Sequence, residues 1–532
     1  MSRALTWPRL LPAGLALLLI AGCGGGGGGG GSSTPSTGAP TVTGWSQQAY
    51  VKAPNAATNA NFGFSMAVSG DTLVVGAVGE SSNQTTITNG STASTDTSAV
   101  SSGAAYVFVR NGTTWSQQAY LKAPNAEQGD KFGISVGISG DTIVVGASSE
   151  SSNQTTITNG STASADSSAS DAGAAYVFVR SGTTWSQQAY LKAPNASGGY
   201  NFGDSVAISG DTIVVGSAYE ASSQTSVTNG STASADTSAP AAGAAYVFVR
   251  SGTSWSQQAY LKAANANAQD LFGSSVAVNG DTIVVGAPYE SSSQATITNG
   301  STASADNSAA AAGAAYVFLR NGTTWSQQAY LKAANAVQSV SFGMSVAISG
   351  ETIVVGTPYE GSSQTTITNG STASADNSAY GAGAAYVFLR SGTTWSQQAY
   401  LKPSNNNAQN GFGIGVAISG DTVAVGAFGE SSNQATITNG NTASADHSLS
   451  SSGAGYVFVR NSTTWSQQAY LKAPNPDAKD RFGYAVAVYG DTIAVGATGE
   501  ASSQATITNG TGASSNNSLE SAGAAYVFKR GT

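Results

Sequence analysis

The sequence is short of the residues that most chemistry needs. Its 532 residues contain one cysteine, Cys23, one histidine, His447, and three methionines. A single cysteine excludes a disulfide framework and any thiolate metal cluster. A single histidine removes most zinc sites, and no Ser-His-Asp set can be built around it. His447 also falls where other copies of the repeat described below carry Thr, Ser or Asn, so it is read as incidental. Charge is equally scarce, at 9% of residues with a net of −8. No basic cluster exists, which excludes nucleic acid as a partner, and the acidic balance serves solubility. With 40% hydrophobic residues the chain can still build a core and is not disordered. No apolar run is long enough to span a bilayer; the longest, over residues 10–21, is about a dozen residues where ~20 are needed.

That run has a specific setting. Arg3 and Arg9 precede it, and Leu19-Ile20-Ala21-Gly22-Cys23 follows. A basic start, a short apolar stretch and small residues mark a cleaved export signal, with an ordinary secretory signal and an incidental cysteine as the competing reading. The stretch resembles the bacterial lipobox. The resemblance implies cleavage before Cys23, a diacylglycerol thioether on its sulfur and acylation of the new amino terminus. Several acyl chains on one residue make stable anchoring. Gly24 after the cysteine implies outer-membrane export in a Gram-negative cell. Residues 1–22 are thus expected to be a lipoprotein signal, and residues 23–42 a Gly/Ser/Thr/Pro tether reaching about 25 Å. The expected location is the cell envelope.

From residue 43 onward the chain repeats. Trp recurs at 45, 115, 185, 255, 325, 395 and 465, always within Trp-Ser-Gln-Gln-Ala-Tyr and always 70 residues apart. Each period holds four short segments rich in Val, Ile, Tyr or Phe, in the second copy at 132–139, 141–147, 173–180 and 184–193. All are too short for typical helices and are bounded by turn residues. Seven sets of four strands predict an all-β, seven-bladed β-propeller. Phe132, Val136 and Ile138 alternate with Gly133, Ser135 and Gly137, and a strand with one very small face suits the crowded axis, so it is placed innermost. The Trp segment is placed outermost. The repeat region begins with an outer strand and ends with a third strand at 523–530, so the N-terminal strand is expected to close the last blade. A linear solenoid is the rival, but no distinct capping repeat is visible.

Phe-Gly opens every inner strand, from Phe62-Gly63 to Phe482-Gly483, and Gly286-Ala287-Pro288 ends a second strand. Residues 43–532 on this pattern resemble the FG-GAP repeats of integrin α-subunit propellers and their bacterial relatives. The resemblance implies the same propeller and, by analogy, adhesion or ligand binding at a cell surface. Integrin-type repeats often carry an Asp-x-Asp-x-Asp-Gly calcium loop between the first two strands; here Ser209-Gly210-Asp211 stands at that place. One carboxylate cannot supply the six to eight oxygens calcium takes, so the integrin-type calcium loop is absent.

Three groups of residues are candidates for function. The residue after each Phe-Gly differs between copies: Phe64, Ile134, Asp204, Ser274, Met344, Ile414 and Tyr484. These are expected around the axial mouth, as a ligand-binding rim together with the variable inter-blade connections. The second group is the long loop at 150–172, whose Asn159-Gly160 sits among β-branched residues and predicts a small hairpin in each blade, crowning one face with polar groups. The third is the pair Glu150 and Asp166, repeated in other blades, which could meet and hold a calcium ion; the competing reading is that such acids cap turns, with Arg110, Lys122 and their equivalents as ion-pair partners. No resident cofactor or catalytic residue is otherwise expected. The chain is therefore read as a monomeric, lipid-anchored envelope module that acts in adhesion or scaffolding, binding a glycan or protein through its loop-rich face, and not as an enzyme. A hydrolase or lyase acting on polysaccharide through paired carboxylates is the alternative.

Overall fold

A computed structural model describes residues 20–22 and 44–531. The expected signal, Cys23 and the tether otherwise lie outside the described residues. Seven antiparallel sheets follow one another in the chain as blades 1 to 7, with no helix among the described residues. In blade 2 the inner strand is Ser135–Ser139, the second Thr142–Ala147, the third Ala174–Ser181 and the outer Thr184–Leu191. The inner strand is innermost because its small face lets neighbours approach, as its alternation predicts. Trp45–Val51 pairs with Ala524–Arg530, Trp45 opposite Arg530 and Tyr50 opposite Tyr526, so the N-terminal strand completes blade 7 and the solenoid is excluded.

The family-like motifs are spelled by blade-to-blade contact. Gly133 adopts φ +88°, and a Cβ there would stand 2.3 Å from the Ala104 carbonyl oxygen. A Cβ on Gly146, which ends a second strand, would stand 2.0 Å from the carbonyl oxygen of Gly203, the Phe-Gly glycine of the next blade. Phe132 is fully buried, edge-on to Tyr176 at 5.4 Å and Phe178 at 6.0 Å. Every core joins adjacent blades: Val74, Val107 and Leu121 of blade 1 pack against Phe132, Ile143, Tyr176 and Trp185 of blade 2. Burying each such side chain stabilises the fold by about 1.5–3 kcal/mol.

Two expectations are corrected. The Trp strand is not the edge of the blade, because Thr158–Asn159 pairs with Tyr190 and Ala189 and adds a two-residue fifth strand outside it. The Asn159-Gly160 hairpin does not form. The long loop instead lies along the outer strand, where Thr158–Asn159 pairs with it and Gln187 donates to the Gly160 and Thr162 carbonyls, closing part of what would otherwise be an open sheet edge. Its Asn serves the next blade: Asn159 donates to the Trp255 carbonyl at 3.1 Å and accepts from the Trp255 N–H at 2.7 Å. A register shift between Val177 and Phe178 leaves Gln188 without a partner on the third strand, and its side-chain Oε1 accepts from Trp255 Nε1 at 2.8 Å.

Near the axis, Ile20–Gly22 runs parallel to Val136–Ile138 and lies against the inner strands of all seven blades.

Candidate functional site

The repeated acids are committed to structure. In blade 2, Glu150 is buried and its two oxygens are engaged by different donors. Oε1 accepts from the Tyr190 hydroxyl at 2.8 Å and from Asn125 Nδ2 at 3.1 Å, and Oε2 pairs with Lys192 Nζ at 2.8 Å. Lys192 also donates to the carbonyls of Ser152 and Gly173, both at 2.7 Å. Burial pushes the lysine pKa down while the facing carboxylate pulls it back up. Asn125 comes from the preceding connection, donates to the Ser164 carbonyl and accepts from the Tyr176 hydroxyl, so the network ties the connection, the long loop and two strands together. The Lys–Glu pair recurs in every blade, closing with Lys52 and Glu500. Arg110 and its equivalents have other partners: they pair with the exposed acid of the first turn, as Arg180 with Asp141, and lie over the outer-strand Trp at about 5 Å.

Asp166 is exposed and accepts from the Asn153 N–H at 2.9 Å and the Ser168 hydroxyl at 2.9 Å, which hold its carboxyl below the usual range. Glu150, Asp166, Glu127 and Asp130 border one hollow, too small to hold a water molecule. The spacing thus brings Glu150 and Asp166 to the same hollow, with both Glu150 oxygens and Asp166 Oδ2 occupied by protein donors. Among the described residues no group of three or more His, Cys, Asp or Glu is arranged to hold a metal ion.

The residues after Phe-Gly are less open than a binding rim requires. Ile134, Asp204, Ser274 and Met344 are buried, and Phe64, Ile414 and Tyr484 half-buried. Phe64 and Tyr484 pack on each other across the closure, with ring centroids 5.3 Å apart, and burial pushes the Tyr484 phenol up to about 12. Inner strands converge too closely at the axis for these side chains to stand free. The exposed, blade-specific side chains lie one step outward. Five large apolar residues are exposed among those described, Val100, Tyr219, Tyr289, Val337 and Tyr380, and all stand on inter-blade connections or at the ends of the long loops. These elements share one face of the propeller. The opposite face carries short turns of nearly constant sequence, such as Ser139-Gly140-Asp141 and Ser181-Gly182-Thr183.

The glycine contacts, the buried Phe and the closed ring are what the Phe-Gly and Gly-Ala motifs encode, and the FG-GAP repeat profile matches residues 45–108, 115–178, 185–248, 255–318, 325–388, 395–458 and 465–528. The chain belongs to the FG-GAP repeat family. No curated protein matches it. Among solved structures, the phage phi92 endosialidase is 10% identical, with 92% of this chain and 69% of that chain covered and a TM-score of 0.36. The N-terminal domain of Nup159 is 10% identical, with 93% and 98% covered and a TM-score of 0.34. A puromycin-hydrolyzing peptidase of Mycobacterium tuberculosis is 10% identical, with 90% and 58% covered and a TM-score of 0.39. Similarity this low bears on no activity of the FG-GAP chain.

The tyrosines escape a reading that follows the family motif, because they precede the repeated Glu instead of following Phe-Gly. The series Gly79, Ser149, Tyr219, Tyr289, Tyr359, Gly429 and Gly499 is the signal that finds them.

Proposed function

We propose that this FG-GAP propeller is a lipid-anchored module of the cell envelope, acting in adhesion or as a scaffold by binding a glycan or protein through the face that carries its inter-blade connections. The observation that carries this is the gathering of every exposed large apolar side chain among the described residues on that face. Exposed apolar groups collected on one surface mark interaction sites. Binding is favoured over catalysis because the recurrent Glu residues are held in buried pairs with Lys and have no oxygen free for acid–base work. Anchoring rests on the lipobox-like Leu19-Ile20-Ala21-Gly22-Cys23. Cleavage before Cys23 would also remove Ile20–Gly22 from the axial channel.

Two measurements test the reading. Cells expressing the protein and fed a tagged fatty acid should label it, and Cys23→Ser should abolish the label; persistent label would sink the anchor. Purified protein on glycan and envelope-protein arrays, with calcium and then with chelator, should give a saturable hit. Silence on both arrays, with turnover in a polysaccharide-degradation screen, would replace binding by hydrolysis or lysis.

A further inference from the structure

Blades 3, 4 and 5 carry Tyr219, Tyr289 and Tyr359 at equivalent positions, each in the turn that leaves the second strand. Tyr219 is 41% exposed and Tyr289 43%. Tyr359 is half-buried, and Tyr380, itself 58% exposed, stacks on it with ring planes 16° apart and centroids at 6.4 Å. Rings on successive blades are close enough to act on one another electrostatically: besides partial burial, Asp204 and Tyr289 raise the Tyr219 phenol pKa, and Tyr289 and Tyr380 raise that of Tyr359. Together they make an arc over three successive blades. Val337 stands on the connection into blade 5, within the same sector.

That sector is also without exposed charge at the connections. The segments 193–201, 333–341 and 403–411 contain no ionisable residue except Tyr200, which is buried, and 263–271 contains only the buried Asp270. Blade 2, by contrast, is entered through Glu127, Asp130 and Lys131, and blade 7 through Asp477, Lys479, Asp480 and Arg481. The acids of the long loops in the sector, Asp236, Asp306 and Asp376, are engaged by Ser hydroxyls and N–H groups of their own loops. The connections of this sector are built mostly of Asn, Gln, Ser and Ala.

Resting on the binding reading above, we propose that Tyr219, Tyr289, Tyr359 and Tyr380 form a stacking platform for an uncharged polysaccharide chain. Sugar rings present apolar C–H faces to aromatic rings and hydroxyls to amide and hydroxyl partners, which is the chemistry this sector offers. A ring on each of three adjacent blades suits a ligand of repeating units; with no Lys or Arg on these connections and the Asp236 and Asp376 carboxylates exposed on the neighbouring loops, a polyanion is disfavoured. Tyrosine supplies contact area at small cost in side-chain entropy and keeps a polar tip for water.

The test is native affinity electrophoresis of the full chain in gels cast with dextran, laminarin, galactomannan or xyloglucan, with alginate as the polyanionic contrast. Retardation is expected in at least one uncharged gel and not in alginate. The variant Tyr219→Ser/Tyr289→Ser/Tyr359→Ser carries the residue that blade 2 has at Ser149, so its thermal midpoint should hold while affinity falls at least tenfold. Tyr→Trp changes at the same three positions should stay within about threefold of the parent, because the stacking surface is kept. Equal retardation of parent and Ser variant would overturn the platform and leave the binding reading standing. No retardation in any uncharged gel, with a hit on the envelope-protein array, would overturn the polysaccharide and again leave the binding reading. No interaction in gels or arrays would remove both.

Discussion

At the scale of single residues, buried charge organises each blade. The Lys332–Glu290 pair at 2.8 Å is almost fully enclosed, and removing one partner leaves an uncompensated buried ion. Glu290→Ala should therefore cost about 3–5 kcal/mol, read as a drop in urea midpoint. Truncating an exposed pair such as Arg320–Asp281 from the acid side should cost less than about 1 kcal/mol. A second expectation concerns pH. Burial, joined by the nearby Glu150, Glu290 and Glu500 carboxylates, pushes Asp130 and Asp270 up to about 7 and Asp480 to about 8. The native state then keeps protons that the unfolded chain releases near pH ~3.9. Stability should fall as pH rises from about 4 towards these folded-state values and level off above them. Urea midpoints across that window should show the decline, and Asp130→Asn/Asp270→Asn/Asp480→Asn should flatten it. An unchanged slope would mean that the carboxylates ionise inside the fold.

At the scale of elements, the long loop shows where local sequence misleads. Asn-Gly between β-branched residues is a strong hairpin signal, yet Asn299 donates to the Trp395 carbonyl at 3.1 Å and accepts from its N–H at 2.7 Å, one blade away. A two-residue strand against an existing sheet, with both backbone groups of a neighbour satisfied, outweighs a free-standing turn whose strands would be too short to hold. Asn299→Ala should cost about 1–3 kcal/mol by leaving that buried N–H unpaired. Amide exchange at Trp395 should accelerate while Trp325, held by Asn229, stays protected; equal exchange at both would deny the latch. The strands themselves were legible, because alternation of large and small residues and apolar runs are local properties. The fifth strand was not, since Thr298–Asn299 becomes a strand only by pairing with Tyr330 and Ala329. The tyrosine arc was half legible: the series is visible in the repeat, but its exposure depends on how far from the axis the turn emerges.

At the scale of the whole molecule, closure decides cooperativity. Each blade shares its core with the next, so an open ring would leave two apolar faces and a sheet edge in water. The N-terminal strand supplies Tyr50 and Lys52 to Glu500, and Trp45 to Asn439 and Gln468 of blade 6. Deleting residues 1–53 removes these partners at once and strands Glu500 in the core. The truncated protein should be expanded in small-angle scattering and cut readily by proteases near 482–530. A compact, resistant truncation product would show that blade-to-blade packing suffices without the shared strand.

The sequence by itself determined the blade number, the strand order and the closure. Those follow from a repeat of constant length, from alternation within strands and from the phase in which the repeat starts and stops. Only the tertiary structure decided which polar residues are spent and which are offered. Glu150 and Asp166 look alike in the sequence, yet one is buried against Lys192 and the other stands in solvent. Ile134 and Tyr219 both vary between copies, yet one is enclosed at the axis and the other exposed. Burial and pairing depend on distances between residues that are far apart in the chain, and no local pattern contains those distances.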